Sequence, residues 1–329
     1  MRIYTIESLE ANQRLDKYLR KLLKKVGNGY IYKMMRKRSI TLNGKKAAGN
    51  EILKVGDEVK LYMKDETIDD LMGLLPKDSP AMAEYKEAFE ELKKIIKVVY
   101  EDDNVVIINK PFGVLSQKAE PNDISCNEWL IGYMLDKNSI TPEQLHTFKP
   151  SVCNRLDKNT SGLLICGKTL CGSQVMSEII KDRKVRKFYR TFVKGVFDSK
   201  LYVNGYLKKD NFANKVTISK KEVPDSDRIE TKFIPIECGK YYSYIEVELI
   251  TGKTHQIRAH AASIGHPILG DYKYGDKNFN EITRRKHQLL HAYRLEFPKM
   301  EGEFENLSKK VLIAEEPIYF GTALKRMRN

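Results

Sequence analysis

An α+β fold is predicted for this chain, and three observations predict it. Beyond Tyr100, runs rich in β-branched and aromatic residues dominate, at 105–108, 163–166, 188–196 and 244–250, as strands require. Helical spacing recurs at 127–135, 169–181 and 254–264, but these stretches do not alternate regularly with the strands, so a doubly wound sheet is not expected. Residues 1–64 carry a shorter pattern of their own, two helices followed by short strands. At 329 residues the chain has room for one large and one small domain. It divides into a small domain at 1–64, a connector at 65–97 and a large domain at 98–329.

In the small domain, Leu15, Tyr18, Leu19, Leu22 and Leu23 recur at helical spacing, with a basic face opposite. A second basic helix is predicted over 30–37. Ile40, Leu42 and 55–61 then read as short strands about an Asn43-Gly44 turn. Residues 1–64 hold 16 Lys or Arg against 6 Asp or Glu. Clustered cations gain affinity for polyanions by releasing counterions from phosphates, and Lys33, Arg36, Lys37, Arg38, Lys45 and Lys46 are the candidate phosphate contacts. The module resembles the small α-L RNA-binding domain of the ribosomal-protein S-four type, on Arg14-Leu15-Asp16-Lys17-Tyr18-Leu19, Leu42-Asn43-Gly44 and Gly56-Asp57.

The charge then reverses: residues 65–103 hold 5 Lys or Arg against 12 Asp or Glu. With Pro76, Ser79-Pro80 and a helical stretch over 82–96, the segment reads as a connector with one amphipathic helix, or as an insertion docked on the large domain. The whole chain returns to +14, so two basic bodies flank an acidic one. Its 41% hydrophobic and 31% charged residues exclude a disordered chain. No apolar run approaches the roughly 20 residues that span a bilayer, and Met1-Arg2-Ile3-Tyr4 lacks a signal-peptide core. The five cysteines form no C-x-x-C pair and are expected as buried free thiols in a reducing compartment. A cytoplasmic protein is expected, without a membrane partner and monomeric.

In the large domain, Asn154-Arg155-Leu156-Asp157-Lys158-Asn159-Thr160-Ser161-Gly162 is a polar run clamped between apolar ones, Val152-Cys153 before it and Leu163-Leu164-Ile165-Cys166 after. It reads as a loop joining two buried strands, which holds a carboxylate at the rim of a rigid core. An ordinary surface turn, with Asp157 and Thr160 bonding the local backbone, would use the same residues. Two further segments favour the catalytic reading. Arg155-Leu156-Asp157 with Thr160-Ser161-Gly162, then 187–195 around Tyr189, then 249–275 around His255-Gln256-Ile257-Arg258, resemble in order the motifs of the RluA-type pseudouridine synthases. Asn109-Lys110-Pro111-Phe112-Gly113-Val114 is similar to that family's first motif; Lys110 could reach phosphate or simply solvent. Asn154 stands where many members carry histidine.

The resemblance implies a mixed, largely antiparallel sheet crossed by an RNA-binding cleft, and an isomerase that acts on RNA and not on DNA. With an S-four-like domain attached, it implies large-subunit ribosomal RNA as substrate, transfer RNA being the second candidate. Asp157 is implied as the catalytic carboxylate, either attacking C1′ or abstracting the 2′ proton to give a glycal. Arg258 is implied as its cationic partner, able to grip it bidentately and keep it ionised. Tyr189 would lie against the uracil ring, and Arg155 would fill the space left by the flipped nucleotide. Rearranging uridine oxidises and hydrolyses nothing, so no cofactor or metal is expected, and the spacing of His255, His260 and His266 fits no standard zinc motif. A noncatalytic RNA-binding or ribosome-assembly factor would explain the charge equally well, but not Asp157, Tyr189 and Arg258 together. A base-releasing hydrolase would share the pocket and give free uracil.

Overall fold

The computed structural model of the chain describes residues 1–73, 79–210, 213 and 215–328; Pro76 of the predicted connector lies outside them. A four-stranded antiparallel sheet, in the order β1-β4-β2-β3, is built from β1 (Arg2–Thr5), β2 (Ile40–Leu42), β3 (Lys45–Lys46) and β4 (Glu58–Leu61). It packs on α1 (Leu15–Leu22) and α2 (Asn28–Arg36). Asn43 and Gly44 turn β2 into β3 with φ of 51° and 72°, the left-handed pair that a two-residue hairpin needs. Leu15, Leu19, Ile31, Met35, Ile40 and Val59 enclose a core of their own. Helix α2 begins at Asn28, two residues before the predicted start, with Gly27 in extended backbone as its N-cap.

Two helices follow. Ile68 and Met72 of α3 (Asp65–Met72) join the N-terminal core, whereas α4 (Pro80–Leu92) turns Tyr85 and Leu92 into the core of the large domain. Only the second was legible, and it is shifted towards the N-terminus of the expected 82–96. Contact between the two bodies is direct. Leu9 belongs to the large-domain core, its carbonyl accepts from the Leu170 N–H at 3.2 Å, and the Thr147 hydroxyl donates to Glu10 Oε1 at 2.8 Å.

The large domain is the predicted α+β body, built on a mixed, largely antiparallel sheet. Its strands are β5 (Lys97–Glu101), β6 (Val105–Lys110), β7 (Ser151–Val152), β8 (Ser161–Gly167), β9 (Arg186–Lys194), β10 (Leu201–Asp210), β11 (Lys215–Ser219), β12 (Ser226–Cys238), β13 (Tyr242–Leu249), β14 (Leu290–Glu296) and β15 (Val311–Ile313). They follow the order β11-β10-β12-β13-β9-β14-β8-β6-β5, with β7 beside β8 and β15 beside β14. Among the described pairs only β8 and β14 run parallel. Its helices are α5 (Cys126–Asp136), α6 (Leu170–Lys181), α7 (Gln256–Ser263), α8 (Lys277–Ile282) and α9 (Ile318–Arg328). Ser125 and Thr169 cap α5 and α6 by accepting the N–H groups of Asn127 and Gly172, as short hydroxyl residues do at helix starts.

Strands β6 and β8 explain why their sequences read as continuous apolar runs. Val106, Ile108, Leu164 and Cys166 point into one core, and Val105, Ile107, Leu163 and Ile165 into another on the opposite face. A strand covered on both faces has no polar side. These two strands are the rigid platform from which the Asn154–Gly162 loop projects. Of the thiols, Cys126 and Cys166 are buried, Cys153 and Cys171 half-buried and Cys238 exposed, so the expectation of buried thiols is met fully by two, partly by two and not by Cys238. No helix among the described residues is long and apolar enough to cross a membrane.

Candidate active site

Asp157 stands on the turn between β7 and β8, and the turn is clamped from three sides. Its own carbonyl accepts from the Thr160 N–H at 2.9 Å. The buried Ser116 hydroxyl donates to the Leu156 carbonyl at 2.9 Å and accepts the Leu156 N–H at 3.0 Å. Asn154 Oδ1 accepts the Ile165 N–H at 2.8 Å, so the departure from histidine leaves that residue as a backbone brace. Lys110 supplies the third clamp. Its side chain is 0% exposed, and its ammonium donates to the carbonyls of Pro111, Val114 and Lys158 at 3.0, 2.7 and 3.2 Å. This corrects the expectation that Lys110 reaches RNA phosphate: a lysine with all three donors taken by buried carbonyls cannot. Burial pushes its ammonium down to about 8.

Arg258 projects from α7 across the cleft. Its Nη1 donates to Asp157 Oδ2 at 2.8 Å. The bidentate grip predicted for Asp157 goes instead to Asp271, which takes Nε at 2.7 Å and Nη2 at 2.9 Å. Asp271 is 1% exposed and is itself fixed by the N–H groups of Lys273 and Tyr274 at 2.8 and 3.1 Å. Burial opposes the charge on both partners. Their mutual bonds outweigh it, raising the guanidinium and holding the Asp271 carboxyl below its ordinary value. The Asp157 side chain keeps 26% exposure, and its Oδ1 has no hydrogen-bond partner among the described residues. One oxygen is anchored and the other faces the cleft.

Tyr189 lies on β9, in register with Val247 of β13 and Ala292 of β14. It is 7% exposed, and its hydroxyl has no partner among the described residues. Burial, reinforced by the nearby Asp157 charge, pushes the phenol up, so it is a neutral group at physiological pH. His255 brings Nε2 to 3.9 Å from Asp157 Oδ2, while its Nδ1 meets the Tyr274 hydroxyl at 2.9 Å. That hydroxyl also accepts the Val216 N–H at 2.9 Å. Burial lowers the His255 pKa. His260 and His266 turn elsewhere, to Thr231 Oγ1 at 2.8 Å and the Lys194 carbonyl at 2.9 Å.

The three residues predicted as catalytic thus converge on one cleft of about 690 Å³. Arg155 is exposed at its rim and makes no hydrogen bond among the described residues. Lys33, Arg36, Lys37, Arg38, Lys45 and Lys46 are all exposed on the small domain, apart from this cleft. They form no ion pairs among the described residues, although nearby Arg2, Arg14 and Lys25 do. Ser116 was not singled out from sequence, and Asp271 and Tyr274 stood only within the 249–275 motif, without a role. Only the isolated acid of Gly270-Asp271 carries a local hint, because a carboxylate between glycine and three cationic or aromatic neighbours needs a partner.

The RNA pseudouridylate synthase family model matches residues 104–263. An uncharacterised RNA pseudouridine synthase of Mycoplasma genitalium is 31% identical over 88% of this chain and 87% of its own length. The ribosomal large subunit pseudouridine synthase C of Vibrio cholerae is 28% identical over 90% of this chain and 89% of its own. Among solved structures, human RNA pseudouridylate synthase domain containing 4 shares the fold, with a TM-score of 0.57 and 22% identity over 75% of this chain and 97% of that one. With a family match over the segment that carries Asp157, Tyr189 and Arg258, and a full-length relative above 30% identity, the chain belongs to the RluA-type RNA pseudouridine synthases, isomerases that convert uridine to pseudouridine within RNA.

Proposed function

We propose that this chain isomerises specific uridines in large-subunit ribosomal RNA, with Asp157 as the catalytic carboxylate. The observation that carries the reading is the division of labour within that side chain: Oδ2 is held by Arg258, and Oδ1 is left open to a partly exposed cleft. In the reaction the N1 to C1′ bond breaks, the uracil rotates, a C5 to C1′ bond forms, and the C5 proton is exchanged for one on N1, so atoms balance without a cofactor. The free oxygen begins either route, by attack on C1′ or by taking the 2′ proton. Arg258 pairs with the carboxylate through one oxygen and leaves the other unoccupied. Tyr189, a neutral phenol, offers its ring face to the detached uracil and its hydroxyl as a hydrogen-bond partner. Arg155, on the rim, fills the gap that the flipped base leaves.

The substrate class rests on the names of the relatives from Vibrio and on the small domain, whose six unpaired cations we assign to RNA phosphates. Residues 1–64 are the RNA-anchoring, S-four-like module in this reading, 98–329 the catalytic body, and the cytoplasm the place of action. Mapping pseudouridine on unmodified ribosomal transcript, treated with the native protein or with Asp157→Ala, tests it. Sites are expected with the native protein alone. Equal modification by the variant would remove Asp157 from the chemistry, and modification confined to transfer RNA would replace the substrate.

A further inference from the structure

Lys187 is the buried cation of the cleft that the chemistry above does not use. It lies on β9 two residues before Tyr189, so both side chains leave the same face of the strand, about 6.6 Å apart along it. It lines the same cleft as Asp157. It is 8% exposed, yet has neither an ion pair nor a hydrogen bond among the described residues. Two other cations of this cleft are committed: Arg258 to two carboxylates, and Lys253 to Asp227 at 2.6 Å.

Taking an ammonium out of water without a counter-charge is costly, and a fold keeps such a group where a ligand supplies the charge. Burial, with a smaller push from Arg183, lowers its pKa. Within the cleft Lys187 lies beside Gly252. The wall there is the glycine of Thr251-Gly252-Lys253, where a Cβ would meet the Lys187 ammonium at 3.4 Å, an ordinary van der Waals contact. An RNA strand lying with its target base against Tyr189 carries a phosphodiester on each side of that nucleotide.

Resting on the reading of the cleft as an RNA uridine site, we propose that Lys187 binds a backbone phosphate flanking the flipped target nucleotide. The ammonium acts as a point charge with three donors, suited to a non-bridging phosphate oxygen. Its contribution is to binding and to the depth at which the base is held.

The test compares native protein, Lys187→Met and Lys187→Arg on ribosomal transcript, reading pseudouridine formation and RNA affinity across salt. Lys187→Met is expected to raise KM about 10- to 100-fold, the effect falling on KM more than on kcat. It should flatten the log–log salt dependence of affinity by about 0.7 to 0.9, the step for one phosphate. Lys187→Arg should restore the slope. The methionine variant, freed of a buried charge, should melt at a higher temperature without RNA, which separates binding loss from misfolding. A neutral methylphosphonate at one of the two flanking phosphates should lower native affinity to the level of the methionine variant and leave that variant unchanged. If the native protein modifies the transcript and Lys187→Met keeps its KM and slope, the proposal is overturned. A fall in kcat with KM and slope intact overturns it too, since the ammonium would then serve the base. A native protein inert on both ribosomal and transfer RNA removes the uridine reading and this inference with it.

Discussion

At the residue scale the site depends on how one guanidinium divides its donors. Asp271, buried and braced by two backbone N–H groups, takes the fork of Arg258 and leaves Nη1 to Asp157. Lysine cannot replace such a fork, because a point charge does not fix two carboxylates in one plane. Asp271→Asn keeps size but removes the charge, so Arg258 turns towards Asp157 and covers the oxygen that should face the sugar. Release of tritium from C5-labelled uridine in RNA should then fall about 10- to 100-fold in kcat, the scale of one misplaced supporting group, with KM little changed; an unaffected kcat would show that Asp271 only stabilises α7. Asp157, Tyr189 and Arg258 could be picked out because each sits in a compact local pattern, and the structure brings the three to one cleft. Ser116 and Asp271 could not, because what they do is defined by contacts 40 and 13 residues away. Lys110 misled because a charged residue beside a turn normally faces water, and nothing local announces three converging carbonyls.

At the element scale, the proposed catalytic groups are set by register across three strands. Gly162 of β8 pairs with Ala292 of β14, and Ala292 pairs with Tyr189 of β9, so a fixed two-strand spacing separates the tyrosine from the end of the Asp157 turn. Gly162 has φ of +112°, and a Cβ there would stand 2.2 Å from the Ala292 carbonyl oxygen. Gly162→Ala must push β8 from β14. It is expected to cost about 2–4 kcal/mol in urea unfolding, from overpacking and backbone strain together, and to lose most activity even where folded, because the turn moves with the strand. Native activity in a folded Gly162→Ala protein would show that the spacing is not critical. Strands such as 163–166 were legible because burial on both faces leaves an unbroken apolar run. Strands β10, β12 and β14 were not singled out. Their residues alternate with charge, as in Asp227-Arg228-Ile229-Glu230-Thr231, and such a pattern resolves into a strand only once a neighbouring ladder is in place.

At the scale of the whole molecule, the division of charge seen in the sequence becomes a division of surface. Part of the acidic segment pairs within the fold: Asp69 and Asp70 with Arg2 and Lys25 of the small domain, and Glu101 with Lys137 and Lys168 of the large one. Lys33, Arg36, Lys37 and Arg38 have no such partners among the described residues and stand exposed at the end of α2. Exposed like charges so placed repel one another and are relieved by a polyanion. Because the small domain also contributes Leu9 to the large core, deleting it would confound binding with stability, and neutralising charge in place is the cleaner change. The quadruple Lys33→Gln, Arg36→Gln, Lys37→Gln, Arg38→Gln protein should fold with unchanged melting temperature. Its affinity for structured RNA should fall uniformly across sequences, and the log–log salt slope should flatten by about 0.7 to 0.9 for each phosphate lost. Single-turnover kcat at saturating RNA should hold, since none of the four lines the cleft. A slope equal to that of the native protein would mean that RNA is gripped by the large domain alone and that the small domain serves to brace it.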